Sequence, residues 1–389
     1  MRLRRSRTGV ALLMAITTIL FLTVLVTEIT FAATVRGQLA VHERDEAKAE
    51  GIALTGMQIY RLILLASKQM GADPNLQAVS ATMGVNLGDS LWQMVPFINT
   101  GLLRMVFVSS GPVDEDDIET YESEGLTDEE IEESRESSST KRAFLDFDGD
   151  FSAGIADEDS RIFLGSFAAK TYAELLEDPT ALQLYALMSG EENEQFFHDI
   201  DVDRWELIAN LADWIDEDGV RLYRGGTEDS LYDDLDDDYL SKNASFDTLD
   251  EVRLVDGWHR DDIWERFGDK VTIYGGGKVN VNTASNEVMF AVLKAFMDPL
   301  PADSYVQDVM IKIGEYRELS NFTEAAGFVS FLESIAVKVK TSMVSAISTQ
   351  STVFRVDSTG VVGDANVTIE AVIDFSSDAA GKIVYWSVQ

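Results

Sequence analysis

The sequence predicts an α+β protein with a long N-terminal helix, a C-terminal antiparallel sheet and a large inserted helical domain. Three observations support this class. Residues 10–33 form an almost continuous apolar run, and helical spacing of apolar side chains continues beyond it without a proline before Pro74. Residues 351–389 alternate apolar and polar side chains between glycine-containing turns, which is typical of three antiparallel strands. Residues 168–296 contain short amphipathic helical segments.

The apolar run is long enough to cross a lipid bilayer. At a rise of about 1.5 Å per residue, residues 10–33 would span roughly 35 Å. Arginines at positions 2, 4, 5 and 7 precede the run, and positive charge next to a membrane helix stays in the cytoplasm. We therefore expect a single-pass protein whose N-terminus is cytoplasmic and whose remaining chain lies on the other side of the membrane.

Three interpretations of the N-terminus compete. A secretory signal peptide would be cleaved near Ala32 and Ala33, but its apolar region would be unusually long. A plain anchor would keep the whole segment. A prepilin-type leader, residues 1–9, would be cleaved between Gly9 and Val10 and would leave residues 10–70 as one helix. This last interpretation also explains why the helical pattern continues past the membrane segment.

The composition excludes several classes of function. The chain has 31 basic and 68 acidic residues, a formal net charge of −37, so its surface repels nucleic acid. It has no cysteine, which excludes disulfides, thiolate nucleophiles and cysteine zinc sites. Neither a G-x-S-x-G nor an H-E-x-x-H motif occurs. We therefore expect a protein that is not an enzyme.

The remaining chain divides into three parts by its patterning. Residues 71–167 form the first part of a globular head and include an acidic, serine-containing surface loop at 113–142. After this loop, FLDFD and RIFLGSF are predicted to form a strand pair around an acidic turn. Residues 168–296 form the helical insertion, and residues 297–389 complete the head with its strands.

Four motifs follow one another in the second half of the chain: LADWIDEDG, YRGGTEDSLYDD, LDEVRLVDGW and GGGKVNVNTASNEVMFAVL. Together, behind the basic leader, they resemble the minor pseudopilin K family of type II secretion systems, and the resemblance covers the chain except for the acidic loop. Met14 would be the fifth residue after cleavage, where pilins and major pseudopilins usually carry a glutamate. The absence of this glutamate is characteristic of the pseudopilin K family.

The resemblance implies a pilin-like fold and a structural role at the tip of a periplasmic pseudopilus. The protein would lie in the bacterial inner membrane, be cleaved by prepilin peptidase and be methylated on Val10. It would assemble with minor pseudopilins I and J and the major pseudopilin, initiate the filament that drives protein export, and contact the secretin or secreted cargo. Two alternatives remain open, namely a membrane-anchored acidic calcium-binding envelope protein and a tip protein of a related type IV pilus.

The resemblance also implies calcium in the head. The second half of the chain offers Asp216, Asp218, Glu228 and Asp229 around glycines, and calcium takes six to eight oxygen ligands from such loops. We expect some of these four carboxylates to bind a structural calcium ion that neutralises them. The competing interpretation is a solvated acidic loop without a metal.

Overall fold

The computed structural model describes residues 8–72, 87–108, 147–167, 169–233 and 239–389. The predicted acidic loop at 113–142 and most of the predicted leader lie outside the described residues.

The N-terminal helix α1 (Thr8–Ala72) is a single helix of 65 residues. Its first part is exposed and, within the described residues, is long and apolar enough to cross a membrane. Threonine hydroxyls in this part donate to carbonyl oxygens one turn earlier, as Thr23 does to Ile19 at 2.8 Å. Such bonds satisfy polar groups in lipid. The last part of α1 buries Tyr60 and Leu64 against the head.

The other described helices are short and lie between or beside the strands. They are α2 (Leu87–Met94), α3 (Thr100–Val108), α4 (Tyr172–Leu175), α5 (Pro179–Leu187), α6 (Glu191–Ile200), α7 (Arg204–Ile215), α8 (Asp261–Phe267), α9 (Asn286–Phe296), α10 (Asp303–Leu319), α11 (Ala325–Ser334) and α12 (Met343–Ala346). The described strands are β1 (Phe97–Asn99), β2 (Asp150–Asp157), β3 (Ile162–Phe163), β4 (Val271–Thr272), β5 (Val279–Asn280), β6 (Ile347–Ser348), β7 (Val353–Val362), β8 (Ala365–Asp374) and β9 (Lys382–Val388).

The head is built on a five-stranded sheet with the order β1-β2-β7-β8-β9, in which all neighbours are antiparallel. The predicted C-terminal meander is confirmed as β7, β8 and β9. Helix α1 crosses one face of this sheet so closely that a side chain at Gly360 would collide with the backbone of Ala49 and Ala53. On β7 and β8, Val353 and Val372 pack instead with Tyr274 of the insertion.

The chain leaves this sheet after β2 and returns to it at β7. The segment between them has its own buried apolar cluster, to which α5, α7, α9 and α10 contribute. This cluster continues past residue 296, where the sequence predicts the end of the insertion, as far as Ile347. The α+β class with a long helix, an antiparallel sheet and a helical insertion is therefore confirmed, whereas the exact domain boundaries stay predictions.

The predicted strand pair around an acidic turn is wrong. Strand β2 runs through the proposed turn, and β3 pairs in parallel with β4 of the insertion. The three acidic residues Asp157, Glu158 and Asp159 are buried where the sheet meets the insertion. Hydrogen bonds within the protein replace the water that these carboxylates would otherwise bind. Asp157, for example, accepts from the hydroxyls of Thr283 and Ser351.

Candidate functional site

The end of α7 and the loop after it form a compact acidic structure. Asp203 caps the start of α7 by accepting from the backbone N–H of Trp205 at 2.8 Å, and the helix ends where Asp216 turns to extended backbone. The loop then doubles back, since Val220 and Thr227 form an antiparallel bridge. This return brings the turn that begins at Glu228 next to the end of the helix.

The loop can double back because of its glycines. Gly225 and Gly226 have φ angles of 68° and 104°, which side-chain-bearing residues rarely adopt. The sequence R-G-G-T therefore permits a tight return of the chain between Arg221 and Glu228. The backbone N–H of Arg221 donates to the carbonyl of Gly226 across this return at 3.1 Å.

Three carboxylates converge at this return. Asp213, Asp216 and Glu228 each offer an oxygen, and these oxygens lie within 4.8 Å of one another. Asp213 and Glu228 are only 2% and 1% exposed, while Asp216 is partly buried. Three acidic groups this close repel one another and are costly to bury without a compensating cation.

The hydrogen bonds of the cluster are incomplete. Asp213 accepts from the backbone N–H of Leu222 at 3.0 Å, and Asp216 accepts from the N–H of Asp218 at 3.0 Å. Both carboxylate oxygens of Glu228 are buried, and neither has a donor in hydrogen-bond geometry among the described residues. The Ser241 hydroxyl lies near Glu228 but is itself buried without such a bond. Two buried carboxylate oxygens without hydrogen-bond donors are unusual in a protein interior and require an explanation.

The electrostatics of the cluster reflect this environment. The pKa of Asp213 is raised to about 7, mainly by burial. The hydrogen bond from Leu222 opposes this rise, and the charges of Glu228 and Asp216 contribute to it. Burial likewise raises the pKa of Glu228 to about 7, with added repulsion from nearby carboxylates and an opposing effect of Ser241. The pKa of Asp216 is also raised, mainly by burial. Asp213 and Glu228 therefore hold protons up to nearly neutral pH when no cation is present.

The donor set fits a hard divalent cation. Calcium prefers carboxylate and carbonyl oxygens, tolerates irregular geometry and is favoured by clustered negative charge. Asp213, Asp216 and Glu228 would hold it, and an ion there would supply the missing partner of Glu228. Its chemistry would be structural, since it would neutralise the cluster and tie the loop to α7.

The structure brings together two of the four carboxylates that the sequence predicts as ligands. Asp216 and Glu228 are in the cluster. Asp218 accepts from the N–H of Val220 at 2.8 Å, and Asp229 accepts from the N–H of Ser241 at 3.3 Å, so both are engaged beside the cluster. Asp213 was missed by the sequence prediction. Its signal is the spacing D-W-I-D, which places two carboxylates three residues apart on one side of a helix end.

The predicted processing site lies at the other end of the chain. Gly9, Val10 and Met14 are in the first turns of α1. Val10 and Met14 are 65% and 64% exposed. The cleavage after Gly9 and the methylation of Val10 remain predictions.

Residues 168–274 match the model of a family described as type II secretion system (T2SS), protein K. This segment is therefore similar to protein K of type II secretion systems. The matched residues include the carboxylate cluster and the first three of the four ordered motifs, and the resemblance to the pseudopilin K family that those motifs indicate is confirmed. Protein K belongs to a secretion apparatus, and the matched segment makes up most of the insertion.

Among solved structures, the chain is similar to one in the GspK-GspI-GspJ complex from the enterotoxigenic Escherichia coli type 2 secretion system. The identity is 17% and the TM-score 0.47, and the match covers 62% of this chain and 80% of the other. A TM-score this low does not by itself establish a common architecture. No curated protein matches the sequence.

Proposed function

We propose that the chain is a minor pseudopilin at the tip of a type II secretion pseudopilus and that its role there is structural, without catalysis. One observation carries the proposal. A single helix of membrane-crossing length continues without a break into an antiparallel head that contains a segment similar to protein K. A helix of this kind can anchor the subunit before assembly and pack with parallel helices of other subunits afterwards.

The size of the head and the residue at position 14 support the proposed tip position. The chain between β2 and β7 forms a second folded core on the head, which would obstruct a further subunit stacked above it. A methionine at the fifth position after cleavage cannot pair with the N-terminal amine of a neighbouring subunit, as a glutamate could. A tip subunit has no subunit stacked above it, so its upper surface does not have to accommodate one and the ion pair is not required.

The proposed partners are minor pseudopilins I and J, the major pseudopilin and prepilin peptidase, with the secretin or secreted cargo as further contacts. The solved complex that contains GspK also contains GspI and GspJ, and this supports the first two partners. The protein would lie in the inner membrane with its basic terminus in the cytoplasm and its head in the periplasm.

The deciding experiment is mass spectrometry of the mature N-terminus, from cells with and without prepilin peptidase. We expect a peptide that starts at N-methylated Val10 and depends on the peptidase. Gly9→Val should block the processing, whereas Gly37→Ala, in the exposed part of the same helix, should leave it unchanged. An intact Met1, or a terminus near Ala33, would refute the pseudopilin role and leave an anchored or secreted acidic protein.

We further propose that Asp213, Asp216 and Glu228 bind a structural calcium ion, with Asp218 and Asp229 adding negative charge around it. The observation that supports this is the pair of orphaned, buried oxygens of Glu228. Calcium binding would occur in either biological context, in the tip subunit or in an anchored envelope protein. The mature N-terminus therefore separates these two functions, and calcium binding does not.

A further inference from the structure

The insertion contains an open cleft of about 630 Å³. It lies where the end of α5 and the start of α6 meet α9 and α10. Its apolar lining consists of Leu187, Phe290 and Met310. A cleft of this volume is in the range that holds a side chain or a short peptide segment.

The rim of the cleft is acidic. Glu191, Glu192, Glu287 and Asp303 all line it. These carboxylates come from the first turns of three different helices that converge on one opening, and the positive N-terminal ends of the helices offset their charges only in part. Glu191 and Glu287 are exposed, and neither forms an ion pair with any described residue.

The cations near the cleft are already engaged. Lys294 donates to Asp303 at 2.5 Å and to Ser189 at 2.8 Å. Arg266 donates to Asn193 at 2.7 Å and lies 3.6 Å from Glu192. These contacts use Asp303 and Glu192, so they leave two carboxylates on the rim without a counter-charge.

The fold itself shows how the cleft accommodates a cation. The ammonium group of Lys294 lies 5.4 Å from the ring centroid of Phe290 while it is paired with Asp303. An aromatic face combined with a carboxylate suits a lysine or arginine, whose apolar stem packs on the ring while its charge meets the acid. Phe290 remains partly exposed, and Glu191 and Glu287 flank the same opening.

We propose that this cleft is a docking site for a basic segment of another protein, which inserts a lysine or arginine side chain between Glu191 and Glu287. The stem of that side chain packs on Phe290 and Met310. The occupant is cationic because the two unpaired charges on the rim are negative, and it is part of a peptide because the cleft is open and has an apolar lining. The inference does not depend on the proposed calcium ion or on the place of the chain in a filament.

The test is peptide binding to the full chain, purified in a non-ionic detergent and measured by fluorescence anisotropy. The probe is a labelled hydrophilic peptide of glycine and serine with four lysines, and its control has glutamine in place of each lysine. We expect the lysine peptide alone to bind, and more weakly at high salt. The double variant Glu191→Gln/Glu287→Gln should weaken binding roughly fivefold, as expected for two exposed ion pairs.

Two further variants separate this site from general attraction to an acidic protein. Glu315→Gln/Glu318→Gln removes the same charge from exposed positions on α10 outside the cleft and should leave binding unchanged. Gln307→Arg places a cation of the chain itself at the cleft and should abolish binding without removing a carboxylate. Equal losses in the two double variants, or no binding of the lysine peptide to the parent chain, would overturn the proposal.

Discussion

Replacing Asp213 by asparagine tests the carboxylate cluster most directly. The change keeps the size of the side chain and an oxygen that can still accept from the N–H of Leu222, but it removes one buried charge. Without calcium, we expect Asp213→Asn to stabilise the insertion above neutral pH. With calcium, we expect the wild type to gain stability that the variant does not.

The magnitude follows from the pKa of Asp213, which burial raises from 3.8 to about 7. A shift of about three units corresponds to at most about 4 kcal/mol, and local relaxation reduces this to roughly 2 kcal/mol. The folded pKa lies above the unfolded pKa, so the stability from this group is complete below pH 3.8 and is lost as the pH rises to about 7. The variant should not show this loss.

The assay is thermal unfolding followed by tryptophan fluorescence, to which Trp214 contributes from its buried position in α7 beside Tyr232. A difference of about 2 kcal/mol in a unit of this size corresponds to a change in Tm of roughly 4–8 °C. Measurements in a chelator and in calcium, about one unit below and one unit above pH 7, give the full comparison.

The matched control is Glu217→Gln, which removes an exposed carboxylate from the same loop and should change neither the Tm nor its dependence on calcium. Calcium binding to the wild type should weaken as the pH falls through about 7, because protons compete for Asp213 and Glu228. An Asp213→Asn protein that still gains several degrees from calcium, or that is less stable than the wild type in chelator at high pH, would refute the reasoning.

Two other predictions concern the head. Gly360→Ala should destabilise the head by roughly 2 kcal/mol or more, because the new methyl group would collide with the backbone of α1. The control is Gly154→Ala on the neighbouring strand, where the methyl group meets only an ordinary contact. Equal stability of the two variants in urea unfolding would show that the close approach of helix and sheet is unimportant. At the junction with the insertion, burial raises the pKa of Asp157 to about 7 and thus above its unfolded value of 3.8. Opening of β7, measured by hydrogen exchange relative to the base-catalysed rate of an unfolded peptide at the same pH, should therefore become more frequent as the pH rises towards 7. Asp157→Asn should remove this trend, and an identical pH dependence in the variant would assign it to other groups.

Much of the head could be predicted because local patterns determine it. The membrane helix follows from length and apolarity, and the strands from alternation between glycine turns. Strand β2 could not be predicted in the same way, because its last residue Asp157 and the two acids after it look like a solvated turn. Their burial depends on hydroxyls and arginines that are distant in sequence, such as Ser351 and Arg355.

The candidate site was half predictable for a similar reason. Asp216 and Glu228 lie in an acidic, glycine-containing stretch, which is the usual signal of a calcium loop. Asp213 lies inside the amphipathic pattern of α7, where an acidic residue is expected to face solvent. Only the fold shows that this side of the helix end is covered by the returning loop, which leaves Asp213 2% exposed.

Comparison of two buried glutamates shows why a metal is invoked at one place and not at the other. Glu158 is fully buried, but Arg161 and Arg355 donate to it at 2.9 Å and 2.8 Å, and Thr272 donates to its other oxygen. Its charge is compensated within the chain. Glu228 is equally buried and faces two more carboxylates, and the hydroxyl of Ser241 lies near it without hydrogen-bond geometry. A buried anion without compensation is strongly destabilising, so a proton would neutralise Glu228 at low pH, and the calcium ion proposed above would do so at higher pH.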